Sequence, residues 1–305
     1  MFLEVADPTI AKTRIAPTPS GYLHLGNALS FVLTATLAKQ SGAGILLRID
    51  DMDKERVRDE YIQDVFDTLD FLEIAYTEGP LNLHDFKSNW SQQQRMYLYN
   101  DALKQLEEEG NVFACTCSRL QLQNYQTYPG TCEPLNASLS SLNAAWRLKT
   151  ENSEPVLMLT WPSGKVVCYL PPEMQSFVVR KKDERPSYQL SSLCDDIHFG
   201  VDLIVRGQDL FASTVAQQYL AQQLGYSLFK ESVFYHHPLI NEANGNKLSK
   251  SAGATSVKYL RENGYKKNDV LNQMGEYLKL NGNYSSWQQL GESWLANLKD
   301  KKDNA

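Results

Sequence analysis

Apolar and polar positions fall into alternating strand-like and helix-like blocks along the first third of the chain. Thr13–Ala16 reads as a short strand and Ala28–Lys39 as a helix. Gly44–Ile49 (GILLRI) reads as a buried strand, and Asp59–Leu72 as an amphipathic helix. Gln92–Glu109 reads as one helix closed by Gly110, the residue type that most readily ends a helix. Strands alternating with helices predict an α/β fold with a parallel sheet covered on both faces.

The pattern changes after residue 111. Residues 112–182 carry Cys, Pro and Gly among short strand candidates such as Trp146–Lys149 and Lys165–Tyr169, as an insert would. The alternation resumes near Ser187, with a helix at Tyr188–Leu193, a strand at Asp202–Val205 and a helix at Ser213–Leu224. Apolar spacing at Val270, Leu271, Met274, Tyr277 and Leu278 predicts a helical end. The expected division is a core of 1–111 and 183–256, an insert of 112–182 and a helical segment of 257–305.

Composition adds exclusions. The chain has 305 residues, a hydrophobic fraction of 42% and a charged fraction of 22%, as a globular protein does. No apolar run approaches the length of a membrane span, and the start lacks the basic-then-apolar order of a secretory signal, so a cytoplasmic location is expected. The net charge of -6 argues against coating nucleic acid through overall charge, although a local basic face can still bind RNA. Lys181–Lys182, Lys266–Lys267 and Lys299–Lys302 read as solvated surface. The five cysteines, Cys115, Cys117, Cys132, Cys168 and Cys194, are an odd number, which argues against a disulfide framework.

Two segments suit nucleotide chemistry. Arg14 to Asn27 (RIAPTPSGYLHLGN) runs from a strand through a Pro/Gly turn into a helix. The start of a helix offers unpaired N–H groups and the positive end of a dipole to a phosphate. Gly26 lets a ligand approach the backbone, and His24 can donate to a phosphate oxygen or serve as a helix cap. Far downstream, Lys247-Leu248-Ser249-Lys250-Ser251 follows Gly245 in a polar stretch. Its two lysines can neutralise charge growing on a departing pyrophosphate, or it is an exposed loop.

Together these strings resemble the HIGH and KMSKS signatures of class I aminoacyl-tRNA synthetases, here HLGN and KLSKS, with Asn27 in place of the final His. The surroundings resemble the glutamyl branch. RIAPTPSGYLHLGN matches RFAPSPTGxLHxGx, and LLRIDDMDKER matches LRIEDTDxxR. Pro186–Leu190 with Asp195–Asp196 matches PxYxLAxVVDD, and Arg206–Leu210 matches RGxDL. The resemblance covers roughly residues 12–256. It implies a Rossmann-type class I catalytic domain that activates L-glutamate with ATP and Mg. Arg14, Ala16, Thr18, Asp50, Tyr188 and Arg206 would bind glutamate, with Asp50 where the family has a glutamate for the substrate ammonium. His24, Gly26, Asn27, Lys247, Ser249 and Lys250 would bind ATP, and His24, Lys247 and Lys250 would act in catalysis.

Cys115-Thr116-Cys117 followed by Tyr128 and Cys132 offers three thiolates and a fourth ligand for a closed tetrahedral site. Short members of the glutamyl branch carry a similar CxC, tyrosine and cysteine set. The resemblance therefore implies one structural zinc, held by Cys115, Cys117, Tyr128 and Cys132 on an acceptor-binding insert, with Tyr125 as a substitute ligand. Only about 55 residues follow the second signature, too few for the anticodon module of the long enzymes. The resemblance to the short members of the branch implies tRNA-independent glutamyl-adenylate formation and transfer to the queuosine base at the wobble position of tRNA(Asp), by a monomer. A truncated enzyme charging the tRNA 3′ end and a silent RNA-binding paralogue are the rivals.

Overall fold

The computed structural model describes residues 10–150, 154–239 and 256–303. In chain order the strands are β1 (Lys12–Ile15), β2 (Gly44–Leu47), β3 (Val112–Cys115), β4 (Ala145–Leu148), β5 (Val156–Thr160), β6 (Gly164–Cys168), β7 (Val178–Arg180), β8 (Leu203–Gly207) and β9 (Val233–His237). The main helices are α1 (Leu25–Ser41), α2 (Asp59–Phe71), α3 (Met96–Glu108), α4 (Tyr188–His198), α5 (Phe211–Gln223), α6 (Val257–Glu262), α7 (Lys267–Tyr277) and α8 (Trp287–Asp303). The fold is α/β with a parallel, Rossmann-like sheet, and no helix of the described residues is long and apolar enough to cross a membrane.

The chain divides into two compact units, and the division passes through β8. The first comprises residues 1–91, 205–207 and 237–305. Its strands run in the order β2-β1-β8, with β1 and β2 parallel and Arg14 opposite Leu46. Helix α1 is buried on nearly every side, through Leu25, Leu29, Phe31, Val32 and Leu33 among others, as a helix within the core must be apolar all round. Helix α8 approaches α1 so closely that a Cβ on Gly291 would collide with the Thr36 side chain.

The second unit comprises residues 92–204 and 208–236. Its sheet orders β8-β9-β5-β6, with β9 parallel to β5 and the β5–β6 hairpin antiparallel. A separate antiparallel sheet, β3-β4-β7, carries the cysteine-rich segment. The hairpin thus lies in one sheet with β9, while β3, β4 and β7 form their own. The expected single helix over Gln92–Glu109 begins instead as a tight 3₁₀ turn at Gln92–Arg95, with α3 after it. Gln92 and Arg95 both fold inward to the buried carboxylate of Asp195, and a 3₁₀ turn brings side chains at i and i+3 into line.

Candidate active site and metal centre

In the first unit, β1 ends at Ile15, and the turn Ala16–Leu23 leads into α1. Pro17 and Pro19 are buried, Ala16 is half-buried and Thr18 is exposed, with the Ser20 N–H donating to the Thr18 carbonyl at 2.9 Å. His24 caps α1. Its Nδ1 accepts the Asn27 N–H at 3.3 Å, and the Asn27 Oδ1 accepts the His24 N–H at 3.2 Å. A neutral imidazole that accepts at Nδ1 carries its proton on Nε2, so the cap fixes the tautomer. Gly26 serves the same arrangement, because a Cβ there would lie 3.0 Å from His24 Cε1.

Beyond β2 the chain continues alongside the same turn. The Arg48 N–H donates to Ile15 at 2.9 Å, and the Asp50 N–H donates to Pro17 at 3.0 Å. Asp50 is therefore held beside Ala16–Thr18. Its carboxylate takes a bidentate fork from Arg48, Nε to Oδ1 at 2.7 Å and Nη2 to Oδ2 at 3.1 Å, with both side chains buried. On the other side of β1, Arg14 reaches across to β8 and donates from Nη1 to the Val205 carbonyl at 3.1 Å. Arg206 follows on β8, and both arginines are buried at 4% exposure. This gathers Arg14, Asp50 and Arg206 at one edge-to-edge run of strands, β2-β1-β8, with His24 at the mouth of the next helix.

Lys247, Ser249 and Lys250 lie outside the described residues, but the chain re-enters next to His24. Ser256 pairs with His24 in an isolated antiparallel bridge, and the Val257 N–H donates to Leu23 at 2.8 Å. Lys258 Nζ sits 4.3 Å above the Tyr22 ring and donates to its hydroxyl at 3.1 Å. Buried Asp64 on α2 binds the Leu23 N–H at 2.9 Å and Arg261 Nη2 at 2.6 Å, tying α2, α6 and the turn together. Burial raises the Asp64 carboxyl above its usual value, and these two donors oppose that rise.

Tyr188 belongs to the second unit. It opens α4 behind the Ser187 cap and is 38% exposed. Asp195 on the same helix is fully buried, and four donors share it: Gln92, Arg95 through two nitrogens, and the Tyr99 hydroxyl at 2.7 Å. It is a structural anchor of this unit.

The three clustered cysteines converge in the second unit at the end of β3. The Cys115, Cys117 and Cys132 sulfurs all lie within 4.8 Å of one another, with Cys117 and Cys132 at 3.4 Å. Thiolates on a tetrahedral ion with bonds of about 2.3 Å sit about 3.8 Å apart, so the three could bind a metal with little movement. Tyr128 packs against the same cluster, and its oxygen accepts the Cys132 N–H at 3.0 Å. Tyr125 is exposed at 56% and is absent from that cluster. Burial pushes the Cys132 thiol up, but hydrogen bonds from Tyr128, Cys117 and the Thr116 backbone outweigh it and hold the thiol at about 6. Burial, with hydrogen bonds to Cys132 and Cys115, pushes the Tyr128 phenol up. Cys168 and Cys194 stand apart as buried thiols.

The chain matches the family described as tRNA synthetases class I (E and Q), catalytic domain, over residues 11–282. It is 32% identical over 271 residues to a glutamyl-Q tRNA(Asp) synthetase of Nitratidesulfovibrio vulgaris, covering 82% of this chain and 81% of that protein. A protein of the same name from Synechococcus sp. is 33% identical over 270 residues, covering 88% and 83%. Glutamate--tRNA ligase 2 of Halorhodospira halophila is 29% identical, and the alignment takes in 96% of this chain but 61% of that protein. In fold, the glutamate-tRNA synthetase of Elizabethkingia anophelis superposes with a TM-score of 0.70 at 18% identity, covering 87% of this chain and 61% of that one.

Proposed function

The chain belongs to the class I tRNA synthetase family of the Glu/Gln type, and from that premise we propose that it activates L-glutamate with ATP, without tRNA, and passes it to the queuosine base at the wobble position of tRNA(Asp). Ligase activity of the family's kind is the frame. The observation that carries the activation step is the pairing of Ser256 and Val257 with His24 and Leu23, which returns the chain to the His24 cap five residues after the KLSKS string.

In this reading, Arg14 and Arg206 bind the glutamate carboxylates, since a guanidinium matches a carboxylate in a planar fork. Asp50, oriented by Arg48, takes the ammonium beside Ala16 and Thr18, and Tyr188 has a glutamate-binding role by resemblance alone. His24 donates from Nε2 to ATP phosphate, with Gly26 and Asn27 shaping its cap. Lys247, Ser249 and Lys250 serve the phosphates by resemblance alone. One glutamate carboxylate oxygen attacks the α-phosphorus, the bond to the bridging oxygen breaks, and magnesium pyrophosphate leaves. A hydroxyl of the modified base then attacks the acyl carbon and AMP departs. Positioning and charge stabilisation carry both steps.

The acceptor is supported by the two relatives named for glutamyl-Q tRNA(Asp), each covered over more than four fifths of its length. The three thiols fit zinc by donor type and spacing, with Tyr128 as the fourth ligand, and the ion would act structurally by fixing the loop that carries them. The rival acceptor, the tRNA 3′ end, has the support of the glutamate--tRNA ligase similarity. Glutamate-dependent exchange of pyrophosphate into ATP in the complete absence of tRNA is the expected result for the proposed enzyme. Exchange that begins only when tRNA is added would favour the rival.

A further inference from the structure

The side chain that fixes Tyr128 is Arg147, which projects from β4 directly opposite Phe113 of β3. The Arg147 guanidinium lies 3.9 Å from the Tyr128 ring centre, as close as stacked cation and ring come. The Phe113 ring lies 6.0 Å from the Tyr128 ring, so the phenol is flanked by an aromatic neighbour and a cation. Arg147 is itself aimed: its Nη1 donates to the Ser176 carbonyl at 2.7 Å, while its buried Nε has no hydrogen-bond partner among the described residues. One nitrogen is thus sacrificed to lay the guanidinium plane against the ring. The phenol oxygen meets the Cys132 N–H, on the side where the three sulfurs gather.

We infer that Arg147 is a positioning residue for the metal centre, holding Tyr128 as fourth ligand and offsetting the negative charge of a divalent ion bound by three thiolates. This rests on the zinc reading above. Without Arg147, the Tyr128 ring would lose the contact that sets its tilt, and the fourth position would pass to water. Lys182, whose Nζ donates to the Thr116 carbonyl at 2.8 Å, adds a second cation beside the cysteine pair but touches neither Tyr128 nor a sulfur, so it cannot replace this role. Losing an outer residue that orients a metal ligand typically costs about 10–100-fold in affinity.

The test uses the full chain, with zinc affinity measured by competition against a chromophoric chelator and cobalt(II) substituted for its visible spectrum. Tyr128→Phe, Arg147→Met, Arg147→Lys and the Tyr128→Phe/Arg147→Met pair are compared with the parent. Arg147→Met should weaken zinc binding about 10–100-fold and shift the cobalt spectrum as Tyr128→Phe does. The double variant should bind no more weakly than Tyr128→Phe alone, because Arg147 acts through Tyr128. Arg147→Lys keeps the charge and should recover part of the loss, which also covers the case of a Met variant that folds poorly. Unchanged affinity and spectrum in both Arg147 variants, or additive losses in the double variant, would overturn the inference while leaving the zinc centre standing. A parent protein that binds neither ion would remove the metal reading and this inference with it.

Discussion

Asn27 and His24 cap each other: the Asn27 N–H donates to Nδ1 of His24, and the Asn27 Oδ1 accepts the His24 N–H. A side chain proposed for chemistry is therefore also a helix cap, and the two roles can be separated. His24→Asn keeps a good capping residue but removes the Nε2 donor. Its unfolding free energy should stay within about 0.5 kcal/mol of the parent. Its pyrophosphate-exchange rate should fall about 10²–10³-fold, as loss of one charge-stabilising donor does. Denaturant unfolding and exchange kinetics on the same preparation check both. A large stability loss with normal turnover would make His24 a cap alone.

Asp50 and Arg48 form a buried bidentate pair, so Asp50 has work in the fold as well as any work on substrate. Asp50→Asn leaves the Arg48 charge buried against a neutral amide and should destabilise the protein by about 3–5 kcal/mol. Asp50→Glu adds a methylene within the same packed pair and should cost about 1–3 kcal/mol. Urea melts measure both. In the Glu variant, a raised KM for glutamate with near-normal KM for ATP would place Asp50 on the amino acid.

Asp195 should behave differently. Asp195→Asn removes the counter-charge of Arg95 and should cost about 3–5 kcal/mol. Its donors Gln92, Arg95 and Tyr99 are residues to which the proposed chemistry gives no role. At a temperature where the variant is folded, KM values for glutamate and ATP should match the parent, as steady-state kinetics would show. A selective change in KM for glutamate would bring this network into substrate binding.

Much of this was legible in the sequence, for physical reasons that particular residues show. β2 (GILL) is an apolar run and α1 is rich in apolar residues between the Pro/Gly turn before it and Gly42 after it, so local pattern suffices for them. The Arg48–Asp50 pair was also within reach: two residues apart just past β2, where both N–H groups donate to the β1 side, the side chains share a face. β5 was missed because VLMLT has neither alternation nor a turn of its own, and its pairing with β9 joins residues some 75 positions apart. The Arg147–Tyr128 contact depends on the β3–β4 register, and the Ser256–His24 bridge on a contact across most of the chain, so neither could be read from spacing.

Metal removal should separate the two halves of the reaction. Cys117→Ser, or stripping zinc with a chelator, should disorder the β3-proximal loop. It should reduce transfer to tRNA at least about 10-fold more than it reduces exchange, given the folding free energy that a structural zinc supplies. Elemental analysis, exchange and transfer assays on one preparation decide it. Equal loss of both activities would mean that the loop supports the whole chain.

The acceptor is the central claim, and one measurement addresses it directly. Labelled glutamate and ATP are offered to tRNA(Asp) with and without queuosine, and nuclease mapping locates the label. The account predicts label only on the queuosine-bearing tRNA, in the anticodon-loop fragment, and unchanged by removal of the 3′-terminal nucleoside. Label on the 3′-terminal adenosine, or equal labelling of both tRNAs, would contradict it.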